Sequence, residues 1–155
     1  MSKSNAAQNI NGWIIIDKPT GMTSTAVVNK IKWACSARKA GHAGTLDPSA
    51  TGILAIALGE ATKTIPYVTE QVKSYTFEVK WGEATDSDDS DGKIIQTSQM
   101  RPSEQDINAI LPRFRGEIKQ TPPFFSAVKI NGRRAYELAR SGEDFDIASR
   151  TLFVS

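Results

Sequence analysis

The chain has 155 residues, 39% hydrophobic and 23% charged, with a formal net charge of +2 at pH 7, the balance of one soluble globular domain with room for a core. Its single cysteine, Cys35, excludes an internal disulfide, and one histidine plus one cysteine exclude a zinc site built from three or four such ligands. No apolar run approaches the roughly 20 residues that span a bilayer, and the opening MSKSNAAQNI lacks an apolar h-region, so residues 1–9 read as a polar tail and the protein is expected in the cytoplasm, with no membrane partner.

The modest net charge hides a pattern. Residues 1–82 carry nine Lys+Arg against five Asp+Glu, residues 83–100 one against five, and residues 112–140 seven against two. Two basic stretches flank an acidic one, which fits either a solvated surface or a surface that tracks phosphates.

In chain order, "GWIIID" (12–17) predicts a short buried strand, and Lys18-Pro19-Thr20-Gly21 a turn. "TSTAVVNKIKWA" predicts a helix capped by Thr23 or Ser24, with Val27, Val28, Ile31 and Ala34 at helical spacing. Residues 41–52, "GHAGTLDPSATG", read as a loop, and "ILAIALG" as a fully buried strand. "EATKTIPYVTEQ" starts as a helix that Pro66 kinks or ends. In "KSYTFEVKWG" the residues Tyr75, Phe77, Val79 and Trp81 alternate, which predicts a half-buried strand. It should form a hairpin with "KIIQTS" across the acidic tip "EATDSDDSDG". Ser103 to Leu111 predicts a helix with Ser103 as its cap. "KQTPPFFSAVKING" is expected to be a loop entering a strand near Ala127–Ile130, with a turn at Asn131-Gly132. "RRAYELARSG" reads as a short helix stopped by Gly142, and "RTLFVS" as a strand. Ending in an apolar strand, the sequence reads as part of something longer. Strands interleaved irregularly with helices predict an α+β or mixed α/β domain.

Several chemistries are absent from the sequence. No G-x-x-x-x-G-K-[ST] or strand-borne G-x-G-x-x-G is present, and nothing around Ser49 resembles a nucleophile elbow. A calcium loop with Gly92 at its sixth position would place Ser98 where a bidentate glutamate is needed. The segment around Asp47 keeps two readings open. An aspartate before proline builds turns. A carboxylate among small residues can also approach a bulky ligand and attack a sugar carbon.

"GHAGTLDPSATGILAIALGEATK" (41–63) closely resembles the central signature of TruB-type tRNA pseudouridine synthases, G-H-x-G-x-L-D-P-x-A-x-G, then an apolar strand and G-x-A-T-K. "NGWIIIDKPTGMTS" (11–24), "KSYTFEVKWGEATDSDDSDG" (73–92) and "QTPPFFSAVKINGRRAYELARSG" (120–142) resemble further segments of that family in the same order.

The resemblance implies a mixed, largely antiparallel sheet flanked by helices, of which residues 10–155 would be the N-terminal portion of a catalytic domain. A later motif with a basic residue and a second tyrosine, and a C-terminal RNA-binding domain, would lie beyond residue 155. It implies isomerisation of uridine 55 in the T-loop of tRNA by a monomer that uses no metal or organic cofactor. Asp47 matches the essential aspartate, and Tyr75 the tyrosine that packs on the flipped uracil and is a candidate base for a sugar proton. His42 matches the histidine that enters the T-loop, Lys63 a lysine near phosphate or the active loop, and Asp89 the aspartate of the acidic tip. Lys129, Arg133, Arg134 and Arg140 fit phosphate contacts. A catalytically incomplete RNA-binding or chaperone module is the alternative.

Overall fold

The computed structural model describes residues 8–126 and 128–155. Contacts divide the chain into two compact units, Met1–Tyr75 and Thr76–Ser155, and each is treated by itself below.

In the first unit, strand β1 (Gly12–Lys18), helix α1 (Ser24–Ala34), β2 (Ala40–Ala43) and β3 (Gly52–Leu58) follow in order. β3 is the central strand of an antiparallel sheet ordered β1-β3-β2, with Gly12 opposite Leu58 and Lys18 opposite Gly52. Alternation along the strands selects one face for burial. Leu54, Ile56 and Leu58 of β3 are buried with Val27 and Val28 of α1 and with Ala37, and Ile14 and Ile16 of β1 pack against them. Thr23 caps α1, its hydroxyl accepting from the Ala26 N–H at 3.1 Å. Gly59 follows β3 at φ +56°, against the Ile10 carbonyl and the Asn11 side chain; a Cβ there would lie 2.2 Å from the Ile10 oxygen. A 3-10 turn (Gly59–Thr64) leads into α2 (Ile65–Thr69).

The second unit holds β4 (Glu83–Thr85), β5 (Ile94–Thr97), α3 (Glu104–Ile110), β6 (Gly116–Gln120), β7 (Lys129–Ile130), β8 (Arg133–Arg134), α4 (Ala135–Arg140) and β9 (Arg150–Val154). β4 pairs with β5, β6 with β9 and β7 with β8, all antiparallel. Ser103 and Asp106 form a reciprocal capping box at the start of α3, and the bonds from Ser103 hold the Asp106 carboxyl below its ordinary range. Asn131 and Gly132 both take positive φ, 49° and 87°, as a two-residue type I′ turn requires.

The α+β class and the antiparallel pairing are as expected, distributed over four sheets among the described residues. The strands predicted at 12–17 and "RTLFVS", the capped helix α1 and the Ser103-capped α3 are present. Other expectations need correction. The strand predicted over "KSYTFEVKWG" is not formed: Tyr75, Phe77, Val79 and Trp81 are exposed and unpaired, because no described strand offers this segment a ladder. The hairpin instead begins at Glu83, inside the stretch read as its polar tip.

His42 lies on β2 rather than in a loop, because residues 40–43 pair with β3. Pro66 sits in the first turn of α2 instead of ending a helix, since a first-turn N–H has no intrahelical acceptor to lose. Lys119 and Gln120, read as loop, belong to β6, and Arg133 and Arg134, read as helix, belong to β8. Ala127 and the tail residues 1–7 lie outside the described residues; Gln8 pairs with Ala37 in an isolated parallel bridge.

The two faces of β3 should differ sharply in energetic weight. Leu54 is 1% exposed and Ile53 70%. Leu54→Ala is expected to lower unfolding free energy by about 2–5 kcal/mol, and Ile53→Ala by less than about 0.5 kcal/mol, both read from urea denaturation. Equal effects would contradict the burial assignment.

Candidate active site

The loop from Gly44 to Thr51 joins edge strand β2 to central strand β3, and β1 ends beside it because Lys18 pairs with Gly52. Sheet alternation sends Lys18 to the buried face, in phase with Ile14 and Ile16. Its side chain is fully buried. A buried ammonium is tolerated only when its hydrogens find acceptors. Here Nζ donates to the carbonyls of Met22 at 2.8 Å, Pro19 at 3.0 Å and Pro48 at 3.4 Å.

Further bonds fix the same loop. The Gly21 N–H donates to the Pro48 carbonyl at 2.7 Å. The Thr20 hydroxyl donates to the Ser49 carbonyl at 3.2 Å. Ser24, 2% exposed, donates its hydroxyl to the Leu46 carbonyl at 3.0 Å and accepts from the Leu46 N–H at 2.9 Å. Leu46, Pro48 and Ser49 are thus each tied to the segment 18–24. Asp47 sits between them, and its own carbonyl accepts from the Ala50 N–H at 3.1 Å to close a turn.

The Asp47 carboxylate is exposed, and among the described residues no hydrogen bond or ion pair reaches it. Its backbone is held while its side chain is free, the arrangement by which a site presents a preset group to a ligand. His42 is half-buried, and its Nδ1 meets the Gly44 carbonyl at 2.5 Å. A carbonyl only accepts, so Nδ1 carries the proton and Nε2 is left for a further partner.

Lys63 lies on the 3-10 turn and is 72% exposed, in an ion pair with Glu60 that Lys39 joins at 3.8 Å. The bond to Lys63 lowers the Glu60 carboxyl and raises the Lys63 ammonium. Tyr75 is 66% exposed, outside any helix or strand. No hydrogen bond or ion pair among the described residues joins Asp47 to His42, Lys63 or Tyr75.

In the second unit Asp89 is used locally. Its Oδ1 accepts from the Ser87 hydroxyl at 2.6 Å and from the Asp91 N–H at 2.9 Å, inside the hairpin tip. The basic residues cluster on one supersecondary element. Lys129 faces Arg134 across the β7–β8 turn, Arg133 binds both carboxylate oxygens of Glu143 at 2.9 and 3.0 Å, and the Arg140 guanidinium stands 5.6 Å from the Tyr136 ring centroid. No cluster of metal-ligating residues is present among the described residues.

Lys18 and Ser24 are the residues that reading the sequence for chemistry passed over. The signal for Lys18 was available: a lysine at the buried phase of an apolar strand must have its charge satisfied inside. Ser24 gives no such signal, since its partner lies 22 residues away.

Comparison with known proteins fits this architecture. One chain of a crystal structure of a Cbf5-Nop10-Gar1 complex superposes with a TM-score of 0.52 at 31% identity, over 78% of this chain and 31% of that one. The family of TruB pseudouridylate synthases, through its N-terminal domain, matches residues 32–155, and the chain belongs to that family. Proteins described as tRNA pseudouridine synthase B from Ruegeria pomeroyi and Cereibacter sphaeroides are each 58% identical over 154 residues, 99% of this chain and 51% of theirs. The chain therefore spans about half the length of the curated relatives it matches.

The Ser24 clamp makes a local prediction. In Ser24→Ala the Leu46 N–H loses its acceptor, so amide exchange at Leu46 should accelerate at least about tenfold, while the Leu54 and Ile56 amides keep their protection. Unchanged exchange at Leu46 would show that the hydroxyl does not hold the loop.

Proposed function

We propose that this chain is the N-terminal catalytic portion of a tRNA pseudouridine synthase that isomerises uridine 55 in the T-loop. The observation that carries the reading is the free Asp47 carboxylate on a loop whose neighbouring residues are all tied down. Residues 10–155 are the catalytic portion, acting as a monomer in the cytoplasm on the T-arm of tRNA. Among the described residues no helix is long and apolar enough to cross a membrane.

The chemistry needs no redox partner. The N1–C1′ bond of the uridine breaks, the uracil turns, and a C5–C1′ bond forms. The C5 proton leaves to solvent and N1 takes one up, so product and substrate are isomers. Asp47 initiates cleavage, by attack on the sugar or the base or by promoting a glycal. The target must leave the base stack to be reached, and small residues around Asp47 in the sequence, Gly44 and Ala50 among them, let it approach. His42, with Nε2 available, enters the T-loop and occupies space near the flipped base. Tyr75 packs on the uracil and is the candidate base for the sugar proton. Lys63 lies near phosphate or supports the active loop, Asp89 is a further substrate-binding residue, and Lys129, Arg133, Arg134 and Arg140 contact the backbone, where cations position RNA without reading its sequence.

A second reading, an RNA-binding module without chemistry, is favoured by one observation. Tyr75 is exposed on an unpaired segment and so is not yet held for catalysis. A tritium-release assay at uridine C5, on an unmodified T-arm stem-loop, separates the two. Release by the chain that is abolished in Asp47→Asn, with RNA affinity changed less than about threefold, is the expected result. RNA binding without release, from this chain and from a longer form alike, would leave the binding module.

A further inference from the structure

We propose that the solvent face of the C-terminal half of α1 is a second RNA-binding surface, on which Trp33 stacks an unpaired base while Lys30, Lys32 and Arg38 hold the flanking phosphates. The inference rests on the RNA reading above and adds to it a surface outside the Asp47 loop. At about 3.6 residues per turn, Trp33 falls opposite Val27, Val28 and Ile31, the residues that face the core. Lys30 lies to one side of it and Lys32 to the other. The ring is 82% exposed.

One exposed apolar residue needs no explanation; its surroundings do. From Lys18 to Leu46 the chain carries five cations and no acid. Lys18 is consumed inside the fold, and Lys39 leans toward Glu60. Lys30, Lys32 and Arg38 are exposed, and among the described residues no carboxylate pairs with them. Ordinary surfaces intersperse both signs, whereas a flat aromatic ring amid unpaired cations is the composition that binds single-stranded nucleic acid. A membrane surface fits less well. Interfacial helices need a broad apolar face, and the apolar face of α1 is already committed to the sheet.

Position assigns the surface its role. Ser24, at the start of α1, is bonded to the residue before Asp47, and Trp33 lies nine residues further along, roughly 14 Å at 1.5 Å per residue. RNA held there adds affinity without touching the reacting atoms.

The test uses the full chain and an unmodified T-arm stem-loop carrying its single-stranded 3′ extension. Trp33→Ala should weaken RNA binding about tenfold and raise KM in parallel with kcat unchanged, and Trp33→Phe should restore most of the affinity. In Lys30→Ala/Lys32→Ala/Arg38→Ala the slope of log K against log salt should flatten by about two, at ~0.7 per single-strand phosphate contact. Affinity and salt slope unchanged in both variants, with turnover intact, would overturn this surface and leave the proposed reaction standing. Trp33-dependent binding to phosphatidylserine vesicles with RNA affinity unaltered would overturn it in favour of a membrane. A wild-type chain that neither binds nor modifies the RNA would remove the proposed function and this surface together.

Discussion

The fold of the first unit turns on one buried ammonium. Lys18 closes β1, and its Nζ gathers carbonyls from the turn that follows and from the loop that carries Asp47. Desolvating a cation is costly, so the group persists there only because its three hydrogens have three acceptors. That requirement draws segments far apart in sequence to one point. Gly21, Thr20 and Ser24 then bond the same loop, each with a different partner in it.

The choice of acceptors has a chemical consequence. A buried lysine more often finds a carboxylate, and Asp47 lies beside Pro48, to which Lys18 already donates. Satisfying Lys18 with neutral carbonyls leaves Asp47 unneutralised and open to a ligand. Other acids of the chain are committed differently: Glu60 to lysines, Asp106 to a helix cap, Asp89 to a hairpin tip. Those bonds stabilise local geometry and occupy the carboxylate at once. At Asp47 the two tasks are separated, with the neighbours fixing the backbone and the side chain left out of the network.

Much of this was legible in the sequence, and the reasons differ by element. Thr23 and Ser103 cap their helices because their neighbours within three residues suffice, and Asn131-Gly132 specifies its turn by its own dihedral freedom. The motif around Asp47 was found by resemblance, but residue type alone left it divided between turn-building and chemistry. In the structure its backbone builds a turn while its carboxylate stays free, so the two readings describe different atoms of one residue. The Ser24–Leu46 clamp was not legible, because a serine at a helix start already has a sufficient local explanation. Nor was β2, whose residues Gly41, His42 and Ala43 read as loop until β3 supplies the ladder.

The segment around Tyr75 shows the limit of periodicity most plainly. Tyr75, Phe77, Val79 and Trp81 alternate as a strand face should, yet all four are exposed. Alternation states which residues share a face; it takes a neighbouring strand to satisfy the backbone and a facing layer to cover the side chains. β1, a continuous apolar run from Trp13 to Ile16, obtains both, a ladder from β3 and a cover from α1. A pattern that fits a strand therefore becomes one only where a partner strand and a covering layer are present. For Tyr75 the point bears on the role proposed for it, because packing on a base would need its backbone held as firmly as that of Asp47.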